Sequence, residues 1–180
     1  MAGVRVATEN DGAAVARIYA PYVRDTAISF EEVPPSPDDM SGRIRRTLST
    51  HPFLVCEEGG SVVAYAYASP HRERAAYRWS ADVAIYAAPK VHRRGVGRAL
   101  YASLLDMLRR QGFHAAFAGI TLPNEKSVGL HEAMGFEPVG TCREVGFKLG
   151  AWRDVGWWQC RIAGGPPPVA PIAFPDLPQA

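Results

Sequence analysis

Apolar residues recur along this chain at two spacings, near 3.6 and near 2, and the switches between them mark out the elements. Residues 4–7 read as a short strand. Thr8 and Asp11 resemble a helix start, and Val15, Ile18, Tyr19 and Tyr22 then form a helical stripe. A polar, proline-bearing stretch, 31–39, leads into a second helix reaching about residue 49. Strands follow at 53–57 and 61–69, joined by Glu58-Gly59-Gly60, a hairpin signal. A longer strand spans 79–87. After it, Val96, Leu100, Leu104 and Leu108 share one face of a helix that Gly112 stops. An apolar strand at 115–122, a short helix and two closing strands complete the pattern. The consistent architecture is α/β, a mixed sheet flanked by helices. Past Ala163 the chain reads Gly-Gly-Pro-Pro-Pro and stays proline-rich. The expectation is one domain over 1–163 and a tail, 164–180, that is either disordered or draped on a surface.

Composition removes several classes of function. A length of 180 residues suits one domain with a real core. The net charge of +2 is too small to argue for nucleic acid, and no basic stripe alternates with aromatics. The basic residues gather instead at 72–74 and 92–98, which suits a small anionic ligand. No apolar run approaches the ~20 residues of a membrane helix. The N-terminus lacks the charged start and apolar core of a signal peptide. Cys56, Cys142 and Cys160 are odd in number and widely spaced, suggesting neither a disulfide framework nor a zinc site. The cytoplasm is the expected compartment, with no membrane, nucleic-acid or metal partner.

The most informative stretch is His92-Arg93-Arg94-Gly95-Val96-Gly97, between the long strand and its helix. Unpaired N–H groups at a helix N-terminus favour an anion, and glycines let the backbone approach a phosphate closely. Arg93, Arg94 and Arg98 add charge, so a pyrophosphate ligand is expected. A nucleotide P-loop is excluded, because the Lys-Ser/Thr pair is missing. A dinucleotide fingerprint is excluded too, because its third glycine position is Leu100. Taken alone, the hexapeptide reads equally well as an ordinary strand-to-helix turn with solvated arginines.

This loop resembles the Q/R-x-x-G-x-G/A loop of the GCN5-related N-acetyltransferases (GNAT), which grips the pyrophosphate of acetyl-CoA; His92 departs at its first position. Residues 122–136, with Asn124, Ser127 and a closing Gly135-Phe136, resemble that family's second signature. The stretches 27–31, 70–86 and 147–159 narrow the likeness to the phosphinothricin N-acetyltransferases, and it runs from about residue 4 to 162. The resemblance implies the GNAT fold, with two central strands splayed so that the pantetheine arm slots between them. It implies acetyl-CoA as cosubstrate, held by Ile85, Tyr86, Ala87, Arg93, Arg94, Gly95, Val96, Gly97, Arg98, Asn124 and Ser127. It also implies direct transfer to a small amine in a ternary complex, and a homodimer.

The reaction needs a proton acceptor for the amine and a donor for the tetrahedral oxyanion. Asp82, a carboxylate in mid-strand, matches the position where the resembled enzymes carry a Glu proposed as the base. It is one methylene shorter and would work through a water. Without the resemblance, an Asp on an exposed strand face is the plainer reading. His131 matches the position of a His near the sulfur; a core histidine is the commoner role for a lone imidazole. The expected oxyanion donor is the backbone N–H of Tyr86. Arg72, Arg74 and Tyr77 fall where the resembled enzymes contact the acidic end of the acceptor, and Phe30 could supply an apolar wall. Self-paired, solvated charges are the alternative for Arg72-Glu73-Arg74. Other functions consistent with the chain are a protein N-terminal acetyltransferase and a non-catalytic coenzyme A sensor.

Overall fold

The computed structural model describes residues 3–91, 95–163 and 169–178. Its strands are β1 (Gly3–Val6), β2 (Phe53–Glu58), β3 (Ser61–Pro70), β4 (Ser80–Ala87), β5 (Ala115–Leu122), β6 (Glu137–Lys148) and β7 (Ala151–Arg161). The α-helices are α1 (Gly12–Asp25), α2 (Pro37–Leu48), α3 (Val96–Gln111) and α4 (Glu125–Ala133). Among the described residues the strands form one seven-stranded sheet in the order β1-β2-β3-β4-β5-β7-β6. Only β4 and β5 run parallel; every other pair is antiparallel.

The local signals act where expected. Asp11 accepts from the Thr8 backbone N–H at 2.7 Å, and α1 follows. The β2–β3 hairpin closes on Gly59 and Gly60, both at positive φ (59° and 76°), the conformation a two-residue turn demands. One boundary differs. The lead-in taken as 31–39 already contains the first turn of α2, because Ser36 and Asp39 form a reciprocal capping box around Pro37. Proline suits the first helical position, whose N–H has no helical partner.

The sheet separates two apolar cores. One face carries α1 and α2, with Val15, Ile18, Val23, Ile44, Phe53 and Tyr65 buried. The other carries α3, with Leu100, Leu104, Leu108, Ala116 and Phe136 buried. Of the two fates open to the tail, the described part is draped. Trp79 Nε1 donates to Val169 O at 2.9 Å, Gln111 Nε2 donates to Ile172 O at 2.9 Å, and Arg110 bonds Pro178 O.

The feature that positions a site is the β4–β5 pair. Their register runs only from Ser80↔Ala115 to Asp82↔Phe117. Beyond that point β5 continues against β7, from Ala118↔Trp158 to Leu122↔Asp154, while β4 continues against β3. The two strands therefore part at Asp82 and leave a notch in mid-sheet, which is the splay expected from the resemblance.

Candidate active site

The notch is walled by Val83 to Tyr86 of β4, Ala118 to Thr121 of β5, Ser127 and His131 of α4, and Asn124, the residue before α4. Tyr101 of α3 and Ile28 of the α1–α2 loop complete it. The phase of the β3–β4 ladder decides which backbone groups look into it. Ala88 N–H donates to Val63 O and His71 N–H donates to Ser80 O, at the two ends of one continuous register. Antiparallel pairs alternate, so residues 80, 82, 84, 86 and 88 bond β3, while 81, 83, 85 and 87 face β5. The Ala87 carbonyl agrees, since it turns away from β3 to accept from Tyr22 Oη at 2.5 Å. This corrects one expectation. The Tyr86 N–H is engaged by β3, and Ile85 is the first residue past the Asp82–Phe117 pair whose N–H faces the gap. The Tyr86 ring instead packs with Tyr19, Tyr22 and Tyr65 on the α1 side.

At the open end of the notch stands the start of α3. Its N-cap is Gly95, at φ 75°, and among the described residues no side chain caps the first N–H groups. A Cβ at Gly95 would meet nothing within 4 Å, so the approach is clear. Gly97 is small for a different reason: a Cβ there would lie 3.0 Å from Leu130 of α4 and 3.5 Å from Ile85. That glycine lets α3, α4 and β4 converge at the notch. Val96 is buried and Arg98 is exposed. His92, Arg93 and Arg94 lie outside the described residues. Asn124 caps α4 by accepting from the Ser127 N–H at 3.2 Å, and Gly135, at φ 85°, ends it. An uncapped helix start beside an open strand edge suits a phosphate group attached to an extended arm.

Asp82 sits at the apex, the last residue of β4 paired with β5. Side chains alternate along a strand, so its carboxylate shares the α1 face with Tyr86, whereas Val83 and Ile85 belong to the α3 core. It is not the exposed strand-face carboxylate that its residue type alone suggested. Burial raises its pKa above the ordinary carboxylate range; the hydrogen bond from His71 and the charge of Arg72 work in the opposite direction. His71 Nδ1 donates to Asp82 Oδ1 at 2.6 Å. The sequence reading passed over His71.

His131 lies on the other face of the sheet, among the residues of α3 and Phe136. It is 3 % exposed. Its Nδ1 donates to Ser127 O at 2.7 Å, and its Nε2 accepts from Tyr101 Oη at 2.8 Å. Burial lowers its pKa, which keeps the ring neutral. Both nitrogens are engaged, so a direct proton transfer from His131 requires one of these bonds to open. His131 nevertheless lines the notch, and Tyr101 Oη stands beside its Nε2.

Of the residues expected to hold the acceptor, Arg72 and Tyr77 lie beside His71 and Asp82. Tyr77 is edge-on to His71, with ring centroids 5.9 Å apart. Arg72 lies 5.8 Å over the Trp157 ring, and its Nη1 donates to His71 O at 3.3 Å. Arg74 is exposed at the start of a single 3-10 turn, Ala75–Tyr77. Among the described residues Arg72, Glu73 and Arg74 form no ion pair with one another. Phe30 lies against the Gly146 backbone, where a Cβ would fall 2.2 Å from the ring. Two anchors hold its loop. Glu31 takes two bonds from Arg43, at 2.7 and 2.8 Å. Buried Lys148 donates to the carbonyls of Val23, Ser29 and Glu31 at 2.7, 2.5 and 2.6 Å.

A family model described as an acetyltransferase (GNAT) domain matches residues 4–157. The chain belongs to the GNAT acetyltransferase family. It is 39% identical over 171 residues to a phosphinothricin N-acetyltransferase of Streptomyces viridochromogenes, covering 94% of this chain and 93% of that one. It is 32% identical over 160 residues to an L-methionine sulfoximine/L-methionine sulfone acetyltransferase of Salmonella typhimurium, covering 88% and 94%. Its fold matches a phosphinothricin acetyltransferase of Sinorhizobium meliloti solved with acetyl-CoA, at TM-score 0.90 and 34% identity, covering 97% and 96%.

Proposed function

We propose that the chain transfers acetyl from acetyl-CoA to the α-amino group of a small amino acid with a tetrahedral polar end, of the phosphinothricin, methionine sulfone or methionine sulfoximine type. The observation that carries this reading is the notch opening at Asp82, with an uncapped helix start at one end and Arg72, Arg74 and Tyr77 at the other. Coenzyme A would lie along the free edge of β4, its pyrophosphate at Gly95 to Arg98 together with Arg93 and Arg94. Ile85 supplies the N–H for the oxyanion, and Asn124 and Ser127 line the opposite wall. Arginine forks match phosphinate and sulfonyl oxygens, and Phe30 closes the apolar side. Names borne by relatives over nearly the whole chain support the same acceptor class.

The protein would work in the cytoplasm as a homodimer. No described helix is long and apolar enough to cross a membrane. The edge strand β6, the turn after it and the start of β7 expose Val139, Val145, Phe147, Leu149 and Trp152, each more than half open to solvent. Such an apolar strip suits a second copy.

The test is thiol release from acetyl-CoA in the presence of methionine sulfone, methionine sulfoximine, phosphinothricin, leucine and short peptides. The reading expects release with the first three and far slower release with leucine, which offers the arginine and phenol donors no oxygen to bind. Equal rates with leucine and methionine sulfone refute the acceptor class. Preference for peptides would point to a protein N-terminal acetyltransferase.

A further inference from the structure

The two histidines near the notch are built in opposite ways. His131 has both nitrogens bonded inside a core. His71 has one bonded, Nδ1 to Asp82 Oδ1 at 2.6 Å. Among the described residues nothing bonds its Nε2, and that atom is not among the buried unpartnered ones, so it opens to solvent. The ring is nevertheless fixed. It stacks on Phe117 at 4.3 Å and 16°, with Tyr77 and Trp157 edge-on at 5.9 and 6.2 Å. The His71 side chain keeps only 12% of its exposure. Its position follows from the register: His71 lies opposite Ser80, diagonal to Asp82 on the same sheet face, at the end where the acceptor arginines are.

We propose that His71 is the group that takes the proton from the acceptor amine, and that Asp82 positions it. By accepting from Nδ1, Asp82 selects the tautomer whose Nε2 carries a lone pair, and it stabilises the imidazolium that forms. Imidazole is the commonest general base in proteins, and a carboxylate behind it, here half-buried, is a familiar orienting arrangement. The ring also supplies the reach that a carboxylate one methylene short of Glu lacks. The idea rests on the acetyltransferase reading above and deepens it.

The step balances as follows. The acceptor ammonium gives one proton to His71 Nε2. The freed nitrogen lone pair forms the N–C bond to the thioester carbonyl. The C–S bond then breaks with its electron pair on sulfur, and sulfur takes the proton that the nitrogen sheds on becoming an amide. His71 returns its proton to water. The titratable groups facing the ring are Asp82 of β4, Arg72 and Tyr77 of the connecting loop, and Tyr67 of β3 near the carboxylate.

The test compares wild type with His71→Phe, which keeps a ring against Phe117 and removes both nitrogens. The expected result is a loss on the order of 10²-fold in kcat/KM for the acceptor. The KM for acetyl-CoA should not change, and the acid limb of the pH profile should disappear. Adding Asp82→Glu to that variant should recover activity, because the longer carboxylate takes over as base. A His71→Phe variant close to wild type overturns the proposal, and so does a loss that leaves the acid limb in place. Should His71→Phe fail to fold, nitrogen NMR of the wild-type ring decides: a proton on Nδ1 with bare Nε2 supports the role, and the reverse tautomer overturns it. A wild type that releases no thiol with any amine overturns the acetyltransferase reading as well.

Discussion

Replacing Lys148 by Met should loosen the acceptor site without touching the chemistry. Lys148 is 7 % exposed, and its ammonium donates to three carbonyls, at Val23, Ser29 and Glu31. Burial pushes its pKa down from the ordinary lysine range. Three acceptors nonetheless require three N–H donors, which only the charged form has. Methionine conserves most of the volume and removes all three. Each buried carbonyl left alone costs about 1–3 kcal/mol. The last turn of α1 holds Val23 in place, whereas the loop at Ser29 and Glu31 can turn to water. Relief of the buried charge offsets part of the loss, so a net destabilisation of about 3 kcal/mol is expected. Urea unfolding at neutral pH would show it as a lower midpoint at unchanged slope. The two loop carbonyls bracket Phe30, so the acceptor KM should rise while that of acetyl-CoA stays constant. A loss under about 1 kcal/mol would mean that the three carbonyls find water easily and that the lysine is not the anchor. An unchanged acceptor KM would remove Phe30 from the acceptor wall.

Asp82→Asn should lower turnover by about 10²–10⁴-fold yet leave the melting temperature no lower. Its folded pKa is raised, so its contribution to stability is present below the unfolded pKa and lost as pH rises through the folded one. The amide avoids that cost and can still accept from His71; a clear drop in Tm contradicts the account. Gly95→Asp should fold, since a Cβ there meets nothing within 4 Å. The φ of 75° and a carboxylate at the helix start should abolish acetyl-CoA binding by calorimetry, and wild-type affinity would sink the phosphate-loop assignment. His51 is held by burial at about 4, against 6.5 ordinarily. Its contribution is full above the ordinary value and is lost as pH falls through about 4, on the order of 3 kcal/mol in all. The His131 shift acts in the same direction. Urea midpoints should fall over that window and fall less in His51→Phe; a flat wild-type profile refutes the burial argument.

Much of this protein follows from local rules that need no partner element. Thr8 and Asp11, Asn124, the Gly59-Gly60 turn and Gly135 each act within a few residues of themselves, so the elements they bound were legible along the chain. The glycine-bearing helix start was legible for the same reason, and so was Asp82 as an ill-suited residue in a strand. Three matters were decided only by tertiary structure. The surroundings of His131 include a hydrogen bond from Tyr101, thirty positions earlier and on another helix. The N–H that faces the gap belongs to Ile85 and not to Tyr86 because the phase of the β3–β4 ladder is invisible in one strand. His71 met Asp82 because that same register places them diagonally across two strands joined by an irregular loop of nine residues between Pro70 and Ser80. Capping and turn formation are intrinsic to short segments, whereas register is a choice among strand alignments that the whole core settles at once. The identity of the elements is therefore written locally, and the meeting of the two groups at the apex of the notch is not.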